Sequence, residues 1–418
     1  MSDCYDYEEC MPLEERERRQ TLQIMKMLDA GLQRSSRIRK MFTELKLDYS
    51  DIKTLSDFEK LPVTSREKLI ELEMSEPPYG GLNNTDADVD RIFISPGPVY
   101  EPHLSESDHL WARAYYAAGI GKGDVVLNAF SYHMVAAGLT FHGGLRNVGA
   151  TVIPSGTSSS QLQVELIRDL AVTAYTGTPS FLMAIISKAE EMGYNFKKDF
   201  KVRRACFAAE PLAPSLREKF EREYAIDTYQ MYGATEVGDV SFECKEKKGW
   251  HVCEEVLVEI VDPATGKKVP PGMLGEVVVT RFNNTFFLFR FGTGDLSRLI
   301  ASPCMCGRTS FRLDGIAGRV GDAVKVRGLF VAPSQLNKIK ENFDGIKFQL
   351  LIGRVAHEDI LIIKLELKEA VLDTKSLEED LKRFFKEICT VRIDRLEFLK
   401  PGSLKDDDRL IVDQREWK

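Results

Sequence analysis

The sequence predicts an α/β protein with a large mixed α/β N-terminal domain, residues 1–318, and a small α+β C-terminal domain, residues 319–418. Three observations carry this prediction. A chain of 418 residues is too long for one compact core. Between about residues 90 and 230, apolar strand-like runs alternate with helix-like stretches, as in a largely parallel sheet covered by helices. The last hundred residues or so follow a β-β-α-β order, enough for a second, smaller domain.

Local patterns predict the individual elements. Apolar residues near helical spacing, beginning with Leu22, predict an amphipathic helix from Glu14 to Leu32. Thr64 and Glu67 form a Ser/Thr-x-x-Glu capping box that predicts the start of a short helix. The runs VLVEIV and GEVVVTRF, on either side of a turn-forming insert, predict an antiparallel section. In the tail, DILIIKLEL and SLEEDLKRFFKEIC predict a strand and the helix of the smaller domain.

Composition and charge exclude several functional classes. There are 57 Lys and Arg against 64 Asp and Glu, a net charge of -7, so a basic surface for nucleic acid or anionic membrane is not expected. No apolar run approaches the length of a membrane span, and the acidic start does not resemble a targeting peptide. These features predict a cytoplasmic protein without nucleic-acid or membrane partners. The eight cysteines are then expected to be reduced, with no role for Cys4 and Cys10 and simple burial for Cys206 and Cys389.

The segment MYGATEVG, residues 231–238, combines features of a ligand-binding loop. Gly233 lacks a Cβ and lets the backbone approach a ligand closely. Thr235 and Glu236 offer a hydroxyl and a carboxylate, groups suited to phosphate and to Mg²⁺. Taken alone, the segment is better explained as a polar loop after a buried strand.

Two further segments change that interpretation. FRFGTGDL at residues 289–296 and GIAGRVGDAVKVRG at residues 315–328 follow MYGATEVG in an order and spacing that resemble the adenylate-forming enzymes. Earlier segments, among them FEKLPVTSREKL and AAEPLAPSLREKFE, resemble the phenylacetate-CoA ligase branch of that superfamily. The resemblance implies the adenylate-forming enzyme fold with ATP or AMP, Mg²⁺ and CoA as cofactors. It also implies that the C-terminal domain is a mobile cap, hinged at Gly321, where the family has an aspartate and glycine still permits the backbone change.

The resemblance implies roles for individual residues. Thr235, Glu236 and Arg319 are the expected catalytic residues. Thr235 would contact the α-phosphate, Glu236 would coordinate Mg²⁺, and Arg319 would contact the ribose or phosphate. Asp295 would bind the ribose hydroxyls, although it could instead cap the turn after Gly294. The other expected nucleotide contacts are Tyr232, which would stack on adenine, and Ser95, Gly97, Ala208, Ala209, Glu210, Pro211 and Gly233.

A second constellation consists of cysteines and a histidine in two short segments. A C-x6-H pattern is followed much later by C-x-C, and four soft N and S ligands suit tetrahedral Zn²⁺. Phenylacetate-CoA ligase-type sequences carry a similar pattern, which implies a structural zinc site. Reduced thiols beside a surface histidine are the alternative. The predicted zinc ligands are Cys244, His251, Cys304 and Cys306, with Cys253 nearby.

Two segments depart from the family pattern where the family binds phosphate. The family loop SSGTTGxP donates N–H and hydroxyl groups to ATP phosphates. Here ISPGPVYEP, residues 94–102, contains two prolines before Val99 that have no N–H, and Glu101 adds negative charge. Near the C-terminus, Asp407 aligns with the lysine that bridges the carboxylate and the α-phosphate in the family. Lys405 or Arg409 would have to replace it.

These features favour an ATP-dependent, AMP-forming carboxylic acid–CoA ligase that acts through an acyl-adenylate on a small aryl or aliphatic acid. Two alternatives stay open. One is a coenzyme F390 synthetase-like adenylyltransferase, which transfers AMP to a hydroxyl. The other is a ligase-derived nucleotide-binding protein with impaired adenylation. The acyl pocket is expected near residues 130–133 and the Gly-rich stretch after His142, and a homodimer is left open.

Overall fold

The computed structural model of the chain describes residues 4–415 except 96–98, 104–107, 264, 274, 321–323, 328, 332–335, 337–338, 341, 344–345, 356–357, 368–373, 390 and 406–407. The chain divides into two compact units, Met1–Val320 and Gly321–Lys418. The sequence predicts this boundary between residues 318 and 319. The predicted contacts or substitutions at Gly97, Gly321 and Asp407 lie outside the described residues.

The helices of the first unit are α1 (Leu13–Arg34), α2 (Ser36–Leu45), α3 (Arg66–Ser75), α4 (Ala112–Ala117), α5 (Ala136–Asn147), α6 (Ser160–Asp169), α7 (Pro179–Glu191), α8 (Phe196–Asp199) and α9 (Pro214–Glu218). Its strands are β1 (Thr64–Ser65), β2 (Arg91–Ser95), β3 (Val99–His103), β4 (Val125–Asn128), β5 (Thr151–Ile153), β6 (Ala174–Gly177), β7 (Arg204–Phe207), β8 (Asp227–Ala234), β9 (Gly238–Glu243), β10 (Trp250–Val252), β11 (Val256–Val261), β12 (Gly275–Arg281), β13 (Phe291–Ser297), β14 (Leu299–Ile300), β15 (Arg312–Leu313) and β16 (Gly318–Arg319).

The main sheet of the first unit has the strand order β14-β15-β10-β9-β8-β7-β6-β4-β5. Strands β4 to β8 pair in parallel and β9 joins β8 antiparallel, as the alternation of strand-like and helix-like runs predicts. A second sheet has the order β1-β13-β12-β11, with β16 paired to β13. The antiparallel pairing of β11 with β12 confirms the predicted antiparallel section.

The predicted lead-in helix is α1, which buries Ile24, Met27 and Leu28 in the main core and also buries Gly31. These positions recur at helical spacing and form one apolar face. Leu22 does not belong to that face, because 54% of it is exposed. Its position two residues before Ile24 points it away from the core.

The predicted capping box is wrong by one residue. Helix α3 begins at Arg66, and its N-cap is Ser65, whose hydroxyl accepts a hydrogen bond from the Lys68 backbone N–H at 3.2 Å. Thr64 instead belongs to β1, where its N–H donates to the Arg290 carbonyl at 2.9 Å. Pairing with β13 holds Thr64 in an extended conformation, so the cap falls on the next residue.

The expectation that every cysteine is reduced is also wrong, because Cys4 and Cys10 form a disulfide with Cα atoms 6.6 Å apart. A 3-10 turn at Glu8–Cys10 folds the segment back on itself. The buried Glu9 carboxylate holds that fold, since it accepts hydrogen bonds from the Tyr5 N–H at 2.6 Å and from Arg308 Nε at 2.7 Å. Cys206 and Cys389 are buried and take part in no disulfide, as predicted.

The second unit contains the strands β17 (Val324–Val326), β18 (Leu329–Val331), β19 (Ile346–Val355), β20 (Glu358–Leu367), β21 (Arg395–Leu399) and β22 (Ile411–Asp413), and the helix α10 (Thr374–Cys389). Strands β17 and β18 form a hairpin, and the sheet of the unit has the order β21-β20-β19-β22. Leu381, Phe385 and Cys389 recur every fourth residue of α10 and are fully buried in this unit's core. The predicted β-β-α-β order is therefore present, with β22 added at the end.

Candidate active site

The predicted nucleotide-binding segments lie at the carboxyl ends of two neighbouring parallel strands. Strand β7 ends at Phe207, directly before Ala208–Pro211, and β8 continues through Tyr232 into the turn that carries Thr235 and Glu236. Ligands of parallel α/β sheets bind at this edge, because the loops after the strands converge there. Thr235 is exposed, whereas Glu236 is buried.

Tyr232, Asp295 and Arg319 are brought together although they lie far apart in the sequence. The Tyr232 hydroxyl donates to Asp295 Oδ2 at 2.9 Å, and Arg319 Nε lies 3.2 Å from Asp295 Oδ1. The pairing of β13 with β16 places Asp295 directly opposite Arg319. Arg319 also donates from Nη2 to the Thr293 carbonyl at 3.1 Å. Burial, followed by the charge of Asp295, raises the pKa of Tyr232 well above its ordinary value. The hydroxyl therefore stays protonated and donates a hydrogen bond to Asp295.

The structure explains why residue 233 is a glycine, and the reason is one that the sequence did not indicate. A Cβ on Gly233 would lie 2.3 Å from the Gly238 carbonyl oxygen and 2.7 Å from the Trp111 ring. The β8–β9 pairing is irregular between Tyr232 and Gly233, which brings the two strands close at this point. Glycine is therefore required by packing inside the chain, and its predicted contact with nucleotide stays a prediction.

Glu236 has a cationic partner that no sequence pattern predicts. Arg66, the first residue of α3, forms an ion pair with Glu236 Oε1, and its Nη2 donates to the Ser95 hydroxyl at 3.3 Å. The Glu236 side chain is only 1% exposed. Arg66 thus links the predicted Mg²⁺ ligand to the start of the altered phosphate loop. The two partners are 170 residues apart, so no local pattern announced the contact. The only sequence signal was a cation in the conspicuous segment FEKLPVTSREKL.

Two further buried carboxyl groups, Glu73 and Glu101, lie near this ion pair. Burial, followed by the charge of Glu236, raises the pKa of Glu101 well above its ordinary value. Burial also raises the pKa of Glu73 to about 7, against a backbone hydrogen bond from Tyr100 that lowers it. Proton uptake by these groups reduces the negative charge beside the loop. Glu101 therefore repels phosphate less than the sequence suggested.

The predicted adenine loop has a fixed conformation. Ala209 lies in the left-handed region with φ of 71°, an uncommon conformation for a residue with a Cβ. Glu210 accepts hydrogen bonds from the Ser180 hydroxyl at 2.9 Å and from its N–H at 3.3 Å, so the first turn of α7 holds the loop. The Pro211 side chain is exposed. The loop is therefore preformed before any ligand arrives.

The predicted acyl region contains an uncharged polar network beside stacked rings. Asn128 Nδ2 donates to the Tyr132 hydroxyl at 2.8 Å, and that hydroxyl lies 3.1 Å from His142 Nδ1. Burial raises the pKa of Tyr132 to about 12 and lowers the pKa of His142, so both are neutral at neutral pH. Phe130 stacks on Phe141 with ring centroids 4.4 Å apart. An apolar acyl group fits such a wall better than a charged one.

In the second unit, the candidate substitutes for the missing lysine are both exposed. The Lys405 N–H donates to Asp408 Oδ2 at 2.8 Å, so the Asp408 side chain caps a turn that begins at Lys405. Arg409 is tied through its carbonyl, which accepts a hydrogen bond from Gln349 Nε2 at 2.8 Å. Both side chains are accessible to solvent. Their role toward substrate stays a prediction.

The four predicted zinc ligands come together in the structure. Their ligand atoms all lie within 4.8 Å of one another. Cys244 Sγ and Cys304 Sγ are 3.7 Å apart, close to the ~3.8 Å edge of a tetrahedron with Zn–S bonds of about 2.3 Å. Cys306 Sγ lies 3.3 Å from His251 Nε2, and hydrogen bonds from Cys244 and His251 lower the pKa of Cys306. His251 Nδ1 contacts the Ser310 hydroxyl at 3.3 Å, a contact that orients the ring.

Comparisons with known proteins show which family the chain belongs to. A family profile described as AMP-binding enzyme matches residues 104–285. Phenylacetate-coenzyme A ligase from Pseudomonas putida is 31% identical over 347 residues, which cover 79% of this chain and 77% of the ligase. The chain belongs to the phenylacetate-coenzyme A ligase family. Another member of the family, from Escherichia coli (strain K12), is 31% identical over 80% of this chain and 78% of its own length.

Solved structures agree with membership of the phenylacetate-coenzyme A ligase family at the level of the fold. A 2-hydroxyisobutyryl-CoA ligase in complex with its acyl-AMP and CoA matches with a TM-score of 0.90 and 23% identity, over 100% of this chain and 93% of that one. The adenylate-forming fold predicted from the sequence is confirmed. Across the part of the chain that the structure describes, no helix is both long and apolar enough to cross a membrane.

Proposed function

We propose that the chain is an ATP-dependent, AMP-forming carboxylic acid–CoA ligase that acts through an acyl-adenylate. The observation that carries the proposal is the cluster of Tyr232, Asp295 and Arg319 beside the strand ends that present Thr235 and Glu236. An anionic acceptor for ribose hydroxyls, a cation at its side and a carboxylate for metal are the groups that binding of a nucleoside phosphate requires.

The nucleotide contacts follow from the chemistry of these side chains. Asp295 would accept hydrogen bonds from the ribose hydroxyls while Arg319 and Tyr232 hold its carboxylate in place. The exposed Thr235 hydroxyl would donate to the α-phosphate. Tyr232 stacks on Trp250 with ring centroids 5.9 Å apart, which keeps its ring in a fixed plane for adenine.

Glu236 fits the requirements of Mg²⁺. Mg²⁺ binds one or two carboxylates together with substrate phosphates and water, and the Glu236 carboxylate has a second oxygen besides the one paired with Arg66. A bound Mg²⁺ would neutralise phosphate charge during adenylation. Arg66 would orient the carboxylate and add a positive charge near the loop that begins at Ser95. The positive charge of Arg66 would compensate in part for the N–H and hydroxyl donors that the altered phosphate loop lacks.

Product analysis tests the proposed function. Incubation with ATP, Mg²⁺, CoA and a panel of aryl and small aliphatic acids should yield AMP and acyl-CoA in equal amounts with at least one acid. Omission of the acid should stop AMP formation. If AMP instead becomes attached to a hydroxyl of an added acceptor, the chain is an adenylyltransferase. If no acid supports turnover while AMP still binds, the chain is a nucleotide-binding protein.

We also propose that Cys244, His251, Cys304 and Cys306 hold a structural Zn²⁺. Four protein ligands fill a tetrahedral coordination shell and leave no position for substrate. The site joins the end of β9, the strand β10 and the segment before β15. Arg308 follows the last ligand closely and forms a buried ion pair with Glu9, so the same metal would also anchor the N-terminal segment.

Replacement of Cys304 by serine should remove about one equivalent of zinc per chain and lower the thermal unfolding temperature, because the metal's binding free energy contributes to folding. Elemental analysis of protein purified without added metal measures the first effect, and calorimetry the second. Cys389→Ser is the control, since that buried thiol lies in the other unit and should leave zinc content unchanged. Equal zinc in wild type and Cys304→Ser would refute the site.

A further inference from the structure

A second group of metal-ligating side chains lies outside the proposed catalytic and zinc sites. Asp239 at the start of β9, Cys253 after β10 and Glu255 before β11 place one ligand atom each within 4.8 Å of one another. Asp239 and Cys253 are 3% and 2% exposed. Carboxylate oxygen and thiolate sulfur are both ligands of borderline divalent ions such as Zn²⁺.

Each carboxylate in this group has one oxygen held by the protein and one oxygen left bare. Asp239 Oδ2 accepts a hydrogen bond from the Trp111 N–H at 3.1 Å, and Arg113 pairs with Glu255 Oε1. Asp239 Oδ1 and Glu255 Oε2 are buried and have no hydrogen-bond partner among the described residues. A bare buried carboxylate oxygen is costly, and an oriented carboxylate with one free oxygen is the usual arrangement of a metal ligand.

The positive charges nearby do not satisfy these oxygens. Arg113 also pairs with Asp6 and Glu8 at 2.7 Å, so its charge is shared among three carboxylates. Burial lowers the pKa of Arg281, and the charges of Asp239 and Glu255 act against that shift. Among the described residues, however, Arg281 forms no ion pair with either carboxylate. A divalent ion would reach the two bare oxygens directly. Arg113 would remain behind Glu255 as the group that orients it.

Beside Glu255 there is a cavity of about 270 Å³, lined among others by His109, Arg113, Arg19 and Asn283. His109 Nε2 lies 3.8 Å from Glu255 Oε1. A three-ligand site next to a cavity leaves a fourth position for water or for the imidazole after a side-chain rotation.

We propose that Asp239, Cys253 and Glu255 form a binding site for one Zn²⁺ ion, separate from the four-ligand zinc site. On binding, the Cys253 thiol loses its proton to solvent, because the thiolate is the ligand. The ion would join β9 to the β10–β11 connection and, through Asp239, to the Trp111 backbone. Trp111 packs directly against Gly233 of the predicted nucleotide site, so the ion would support that strand from behind.

Zinc stoichiometry tests this proposal. Full-length protein is equilibrated with a small excess of Zn²⁺, freed of loose metal by gel filtration and analysed for zinc per chain. Wild type should hold about two equivalents, and Cys253→Ala and Asp239→Asn about one each. Cys206→Ala is the matched control, since that thiol is equally buried in the same unit, and it should keep two.

A second measurement keeps the proposal testable if a variant folds poorly. Co²⁺ added to wild type that already holds its first zinc should produce a thiolate-to-cobalt absorption band, absent from Cys253→Ser, which preserves the side-chain volume. The site is refuted if wild type holds the same zinc as Cys253→Ala, or if the Co²⁺ band persists in Cys253→Ser.

Discussion

Replacement of Asp295 by alanine should weaken AMP binding about a hundredfold or more. Each charge-assisted hydrogen bond to a ribose hydroxyl contributes about 1.5–3 kcal/mol, and two such bonds exceed the ~2.8 kcal/mol that corresponds to a hundredfold change. Arg319, which lies 3.2 Å from Asp295, would also lose the carboxylate that positions it. Calorimetric titration of wild type and variant with AMP measures the effect.

Two controls separate this loss from unfolding. Tyr232→Phe removes the hydroxyl that donates to Asp295 but keeps the carboxylate and the ring, so AMP binding should fall by about tenfold or less. Asp314→Ala removes an exposed aspartate that faces Arg298 at 3.7 Å, and it should bind AMP like wild type. Binding of AMP by Asp295→Ala within about threefold of wild type would show that Asp295 only caps its turn.

The substitution Asp407→Lys should increase the rate of acyl-adenylate formation by about a hundredfold or more. It restores a cation where the family places one beside the α-phosphate, and loss of one preorganised stabilising group costs about 10²–10³ in rate. The wild-type sequence carries three consecutive aspartates at this point, which would repel ATP phosphates. Rapid-quench measurement of adenylate, with acid and ATP but no CoA, gives the rate.

Charge placement and the second half-reaction provide the controls. Asp406→Lys makes the same charge change one residue earlier and should accelerate adenylation much less. Thioester formation from a supplied acyl-adenylate should change little in Asp407→Lys, because family members use another face of the cap for that step. A wild-type rate already typical of CoA ligases would make the lysine dispensable. Abolition of adenylation by Lys405→Ala would show that Lys405 has replaced it.

Periodic segments were predictable because local chemistry determines them. Residues at every fourth position of SLEEDLKRFFKEIC produce the buried face of α10, and two β-rich runs on either side of a turn-forming insert produce the antiparallel pair β11 and β12. The four-ligand cysteine and histidine cluster was predictable for another reason. Soft ligands at short spacings are uncommon in a chain unless a metal requires them.

Contacts between distant segments were not predictable in this way. Arg66 and Glu236 are 170 residues apart, and their ion pair depends on the pairing of β1 with β13, which positions the start of α3. The group of Asp239, Cys253 and Glu255 was missed because carboxylates are common and only the fold shows which of their oxygens lack partners. The Cys4–Cys10 disulfide was not predictable, because the absence of a targeting peptide favours reduced thiols and only the fold shows the turn at Glu8–Cys10 that brings the two cysteines together.

The proposed function requires that this chain activates a carboxylate with ATP. Acid-dependent exchange of labelled pyrophosphate into ATP, in the absence of CoA, tests it most directly, because exchange requires reversible formation of an enzyme-bound acyl-adenylate. We expect exchange with at least one aryl or small aliphatic acid, faster in Asp407→Lys and lost in Asp295→Ala. Exchange that is independent of acid, or absent for every acid in both wild type and Asp407→Lys, would contradict the claim.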